Sequence, residues 1–147
     1  MNYFDRAFAI VVGEEGVFST DRSDPGNWTS GKVGEGEFKG TKYGISAAAY
    51  PDLDIASLTL DTAKSLYKRD RWDYCGCDAM TWARAICVFD CAVNQGQNFA
   101  RTLPTDPVQI MTMRAMRYTH SPLWPRDGHG WITRLFTIFA QAQKVLT

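Results

Sequence analysis

The chain has 147 residues and a mass of 16.5 kDa, enough for one compact domain with a buried core. Hydrophobic residues at 45% and charged residues at 22% are globular values and exclude a disordered chain. Sixteen basic and sixteen acidic residues cancel, which argues against a dedicated nucleic-acid binder, and no apolar run approaches the roughly 18 residues of a membrane span.

Phe4, Ala7, Phe8, Val11 and Val12 recur at helical spacing and predict an amphipathic helix over residues 3–14, with Gly13 and Gly16 flanking its end. As a secretion signal this segment is poor: Asp5 offsets Arg6, the apolar run is short, and Glu14 and Glu15 follow directly. Synthesis in the cytoplasm without a signal peptide is expected, so a target outside it requires another export route. Residues 17–41, rich in Gly, Asp, Ser and Thr and containing Asp24-Pro25-Gly26, predict turns and short strands. A loop of this length inside a compact domain is usually functional.

The rest of the chain reads as helix. Leu60, Ala63, Leu66 and Tyr67 follow Thr59, a capping residue type. Trp82, Ala85, Ile86, Phe89, Ala92 and Val93 mark a strongly apolar helix. Val108, Met111, Ala115 and Tyr118 mark another after Pro104 and Pro107. Residues 121–130 predict a loop, and Ile132, Leu135, Phe136, Phe139 and Val145 a closing helix. The expected architecture is mainly α (α+β), with a small β-hairpin lobe near the N-terminus. Cys75, Cys77, Cys87 and Cys91 lack a structural zinc spacing; reduced, partly buried thiols are expected, with a pairing of Cys75 or Cys77 with Cys87 or Cys91 after export as the alternative. Charge is uneven. Residues 1–37 hold three basic and seven acidic groups, and residues 101–147 six basic and two acidic, either a solvated surface or an acidic lobe opposite a basic face for an anionic polymer.

Nucleophile-and-base and phosphate-loop patterns are absent from the sequence, and His120 and His129 fall in the expected late loop. The carboxylates are more informative. Glu14 and Glu15 stand where an apolar helix should end; the helix dipole and apolar surroundings both raise a carboxyl pKa there, as a general acid requires. Periodicity does not choose between the two. Asp24 and Asp21 are further acidic candidates in turns, and Asp90 and Asn94 lie four apart on the apolar helix, serving either a structural network or the site. Trp28 and Tyr43 fall in the polar lobe, where an aromatic face suits the C–H face of a sugar.

These segments resemble glycoside hydrolase family 108, the phage-type and secretion-associated N-acetylmuramidases. The resemblance rests on Glu15-Gly16-Val17-Phe18, Asp24-Pro25-Gly26-Asn27, Thr41-Lys42-Tyr43-Gly44-Ile45-Ser46, Tyr50-Pro51-Asp52-Leu53-Asp54-Ile55, Arg71-Trp72-Asp73 and Phe89-Asp90-Cys91-Ala92-Val93-Asn94-Gln95-Gly96. The order of these pieces is also the family's. Val17 and Asn27 stand where the family has glycine, and a Gly-rich insertion from Trp28 to Gly40 precedes Thr41.

The resemblance implies one lysozyme-like domain over residues 1–147, with a catalytic part (1–100) and a helical peptidoglycan-associated part (101–147). It selects Glu15 as the acid of an endolysin-like N-acetylmuramidase, with Asp24 and Thr41 handling water. Trp28, Tyr43, Asp90 and Asn94, singled out above from their own chemistry, are the expected substrate-binding residues. An inverting reaction is expected, without metal or organic cofactor. The implied partner is the peptidoglycan glycan strand in the periplasm, met by a monomer that needs a holin or another export route. Two rival readings are a lytic transglycosylase and a wall-binding module without turnover.

Overall fold

The computed structural model describes residues 2–13 and 16–144. These form six α-helices and three short strands, divided between two compact units: Phe8–Leu66, and Met1–Ala7 together with Tyr67–Thr147. The first helix, α1 (Tyr3–Val11), runs across the division. It buries Phe4, Ala7 and Phe8, as the spacing of its apolar residues predicts, and ends at Val11, short of the predicted Glu14.

The smaller unit is built on β1 (Phe18–Ser19), β2 (Thr41–Lys42) and β3 (Ile45–Ser46), an antiparallel sheet in the order β1-β2-β3. The predicted hairpin is β2–β3, and β1 adds a third strand, with Ser19 opposite Thr41 and Thr41 opposite Ser46. Tyr43 and Gly44 make the two-residue turn. Both have positive φ, 51° and 73°, the geometry that matches the twist of a tight hairpin. For tyrosine this left-handed conformation is uncommon, so neighbouring packing must hold it.

Between β1 and β2 the Gly-rich insertion is an ordered arm. A 3₁₀ turn over Pro25–Asn27 is capped by Asp24, whose Oδ1 accepts the Gly26 N–H at 2.8 Å. Trp28 then bridges to Phe38, the Thr29 N–H donates to the Glu37 carbonyl at 2.9 Å, and Ser30 Oγ donates to the Glu35 carbonyl at 2.8 Å. Ile45, Ala47, Ile55, Leu58, Ala63 and Leu66 supply the unit's apolar interior. Helix α2 (Leu60–Tyr67) begins at Thr59, whose Oγ1 accepts the Thr62 N–H at 3.2 Å.

In the larger unit a π-helical segment, Lys68–Asp73, leads to α3 (Trp82–Asn94), α4 (Gln97–Ala100), α5 (Pro107–Thr119) and α6 (Trp124–Ala142). Residues 85–92 of α3 are all buried, and α3 packs against both α5 and α6. Trp72 is fully buried and edge-on to Phe4 and Phe89, each at 5.5 Å between ring centroids. Its indole N–H donates to Asp78 Oδ1 at 2.6 Å, which satisfies the one polar atom of the ring. Helix α5 starts on Pro107, with Asp106 as its cap.

The start of α6 differs from expectation. Residues 124–130 are helix although Pro125, Gly128 and Gly130 read as loop. Pro125 stands in the first helical turn, where its fixed φ and missing N–H are tolerated. Gly128 leaves room for the Trp124 indole: a Cβ there would lie 2.8 Å from the ring.

A single ionic cluster links three helices of this unit. Asp90 on α3 is fully buried; its Oδ2 accepts from Arg114 Nη2 on α5 at 2.6 Å, and its Oδ1 from Arg134 Nε on α6 at 2.8 Å. Burial works against the Arg114 charge, but the adjoining Asp90 carboxylate more than offsets it and raises the guanidinium pKa. Losing one partner from such a buried pair typically costs about 3–5 kcal/mol, because the other charge is stranded.

All four cysteines are free thiols, and Cys77, Cys87 and Cys91 are fully buried. Burial pushes the Cys77 and Cys87 thiols up to about 12 and Cys91 to about 11 from an ordinary 9.0. A thiol whose pKa is higher in the folded chain contributes stability that is complete below the unfolded value and is lost as pH rises through the folded one. Urea titrations should therefore show stability falling from about pH 9 toward pH 12. At about pH 8 a thiol reagent should label the native chain far more slowly than the unfolded chain. Prompt native labelling of Cys77, Cys87 and Cys91 would contradict their burial.

Candidate active site in the small lobe

The polar centre of the lobe is Asn27, which is fully buried. Its Oδ1 accepts the Thr41 hydroxyl at 2.6 Å, and its Nδ2 donates to the Asp21 carbonyl at 2.9 Å and to Ser19 Oγ at 3.3 Å. Its own carbonyl accepts the N–H groups of Lys39 and Gly40 at 3.0 and 3.1 Å, and its N–H donates to the Asp24 carbonyl at 3.1 Å. One residue thereby ties together the turn after β1 and the first residue of β2 through its side chain, and the end of the Gly-rich arm through its backbone carbonyl. Sequence reasoning noted Asn27 only as a departure from a glycine. A buried amide at the end of a Pro-Gly-Asn turn carries no periodicity that would reveal it.

Thr41 is placed by this bond. Its hydroxyl proton is committed to Asn27, so its oxygen offers lone pairs rather than a donor to anything bound nearby. Asp24 is exposed and uses Oδ1 on the Gly26 N–H. Asp21 is also exposed, but its Oδ1 accepts both the Ser23 hydroxyl at 2.7 Å and the Ser23 N–H at 2.9 Å. Those two bonds hold its carboxyl below the ordinary range, which makes Asp21 a weak base.

Two aromatic candidates occupy the same unit. The Tyr43 ring lies against Gly16: a Cβ on residue 16 would stand 2.5 Å from Cε1 and Cζ of the ring, so only glycine permits the approach. The ring is thus fixed beside the residue that follows Glu15 in the chain. Trp28 is half-buried. Its indole N–H donates to the Arg22 carbonyl at 3.0 Å, its ring meets Phe38 at 5.2 Å, and the Arg22 guanidinium lies 4.4 Å from the Phe38 centroid and 5.8 Å from its own. Trp28 therefore closes the base of the arm whatever else it touches. Glu14 and Glu15 lie outside the described residues.

Asp90 and Asn94 belong to the other unit. Asp90 has no exposed surface and both oxygens are engaged by arginines, so its geometry is that of a helix-positioning group. Asn94 is exposed at the end of α3, where its Oδ1 accepts the Tyr118 hydroxyl, leaving the amide N–H groups outward. Among the described residues no His, Cys, Asp or Glu cluster could hold a metal, and no helix is long and apolar enough to cross a membrane. An apolar groove of about 300 Å³ between α5 and α6, lined by Val108, Met111, Ile132 and Phe136 among others, offers no titratable group.

A helical unit joined in sequence to a small antiparallel lobe is a lysozyme-like α+β fold. The glycosyl hydrolase 108 family model matches residues 8–96, more than half the chain, and the chain belongs to that family. It is a glycosidase of the peptidoglycan cell wall. Among solved structures it is similar to Brucella abortus SagA, with 18% identity and a TM-score of 0.73 over 95% of this chain and 92% of that one. At this identity the likeness is one of fold. No curated protein matches the chain.

Asn27→Ala should destabilise the protein by about 1–3 kcal/mol in urea unfolding, since it strands the Asp21 carbonyl and the Thr41 hydroxyl. Unchanged stability would show that the buried amide holds nothing together.

Proposed function

We propose that this protein hydrolyses the β-1,4 bond between N-acetylmuramic acid and N-acetylglucosamine in peptidoglycan, with Glu15 as the general acid. The observation that carries the reading is the family match, whose span, residues 8–96, includes Glu15, Asp24 and Thr41. The packing of Tyr43 on Gly16 supports it, since a sugar-facing ring belongs beside the segment that bears the acid.

In this reading Glu15 protonates the departing glycosidic oxygen as an oxocarbenium-like transition state forms. Asp24, whose Oδ2 is left after Oδ1 caps the 3₁₀ turn, takes a proton from the attacking water. Thr41 accepts a hydrogen bond from the same water, the only role its committed proton leaves it. The reaction inverts the anomeric centre, which calls for Glu15 and Asp24 carboxyls roughly 6.5–9.5 Å apart. Trp28 and Tyr43 serve as sugar-facing rings and Asn94 as an amide donor, while Asp90 acts by positioning α3. The protein works as a monomer in the periplasm, delivered by a holin or another export route, as a phage-type endolysin would be.

The test is turbidity loss and mass analysis of fragments from purified sacculi. Glu15→Gln should lower kcat by about 10²–10⁴-fold with KM little changed, and Asp24→Asn should also act on kcat. The products should carry reducing ends. Anhydro-muramic ends would instead identify a lytic transglycosylase, and full activity in Glu15→Gln would remove that residue from the acid role. A wild-type protein that binds sacculi and releases nothing would be a wall-binding module.

A further inference from the structure

Of the six basic residues beyond position 100, the structure uses three in ion pairs. Arg114 and Arg134 close on Asp90, and Arg126 pairs with Asp127. Arg101 and Arg117 have no carboxylate partner among the described residues, and each is instead laid on an aromatic ring. The Arg117 guanidinium stands 4.2 Å from the Phe99 centroid, and that of Arg101 4.9 Å from the Tyr74 centroid. Stacking of this kind restrains the planar fork while leaving its N–H edge available.

Arg117 lines a groove, and Arg101 is connected to it through Tyr74. About 520 Å³ in volume, the groove is lined by Gln95, Gln97, Asn98, Phe99, Thr102 and Arg117 at the junction of α3 and α4. Tyr74 joins the Arg101 side to it, because its hydroxyl donates to Asn98 Oδ1 at 2.9 Å. That bond uses the acceptor of Asn98 and leaves its Nδ2 to donate. Gln95 is anchored beneath: its Oε1 accepts from Arg114 Nε at 2.8 Å and its Nε2 donates to the Arg114 carbonyl at 3.3 Å. The Thr102 hydroxyl is spent on the Phe99 carbonyl. The lining therefore presents N–H donors on Gln97, Asn98 and Arg117 and contains no carboxylate.

We propose that this groove binds a carboxylate of the peptidoglycan stem peptide, so that the protein grips the peptide as well as the glycan strand. A neutral sugar is matched by mixed donors and acceptors, whereas a donor-rich groove with the ring-stacked Arg117 guanidinium in its lining suits a carboxylate. The volume lies within the usual range of small-ligand sites, roughly 300–1,000 Å³. This inference rests on the peptidoglycan substrate of the proposed function but not on any catalytic residue.

The direct test is titration of the intact protein with the soluble stem tetrapeptide, L-alanyl-γ-D-glutamyl-meso-diaminopimelyl-D-alanine, followed by calorimetry and amide chemical shifts. Binding should shift resonances of Gln97, Asn98 and Phe99. Arg101→Gln with Arg117→Gln should weaken it at least tenfold while the thermal midpoint stays near wild type, both side chains being exposed. Arg126→Gln, which breaks a pair outside the groove, should bind as wild type. The same peptide with its carboxylates amidated should bind at least tenfold more weakly. No binding at millimolar peptide, equal binding of the amidated peptide, or full binding by the double variant would each overturn the proposal. Binding without release of fragments from sacculi would retain the groove and refute the proposed activity. Release of fragments without peptide binding would do the reverse.

Discussion

The buried amide of Asn27 decides whether the small lobe has a defined shape. Its strands are only two residues long, too short for ladder hydrogen bonds alone to hold them in register. A fully satisfied polar centre does what a longer sheet would otherwise do. By accepting from Thr41 and donating to the Asp21 carbonyl, Asn27 sets where the hydroxyl at the start of β2 stands relative to the acidic turn. Leaving any of these groups unmet inside the lobe would cost more than the bond contributes, so the arrangement is all-or-none. The proposed handling of water by Asp24 and Thr41 is a consequence of that constraint.

The larger unit solves a comparable problem with charge. Asp90 sits in the fully buried stretch of α3, residues 85–92, and is tolerated there because two guanidinium groups, from α5 and α6, meet its two oxygens. Three helices are thereby fixed in rotation as well as distance, which apolar contact alone specifies poorly. The cluster also consumes two of the basic residues that make the C-terminal third look like a positive surface. Within what remains of that surface, two arginines are stacked on rings.

Much of the helical architecture was legible in the sequence because apolar spacing is a direct record of burial. The faces of α1 and α3 follow from it, and Thr59 stands at a helix start as its chemistry suggests; on α5 the buried face instead runs through Ile110, Arg114 and Tyr118, and Val108, expected inside, is exposed. The first turns of α6 were not legible, since Pro125 and Gly128 carry opposite meanings in a loop and in a helix, and only the packing of Trp124 over Gly128 decides between them. The candidate site divides in the same way. Asp24, Thr41 and Tyr43 come into one lobe, as their closeness in sequence allows. The partners that give each its role are side chains with no pattern of their own: Asn27 for Thr41, Gly16 for Tyr43, and Arg114 and Arg134 for Asp90. Whether Asp90 faced a ligand or other helices could not be read from its place on α3, because both uses need a polar group on an apolar helix.

The proposed chemistry makes one stereochemical demand. If Asp24 and Thr41 direct water to the face opposite the departing sugar, the bond is broken in one displacement and the muramic acid end must emerge inverted. Proton NMR of a soluble glycan oligomer during its first turnovers, before mutarotation, reads this directly. The account predicts that the α anomer forms first; initial release of the β anomer would contradict it and point to a covalent intermediate on a carboxylate.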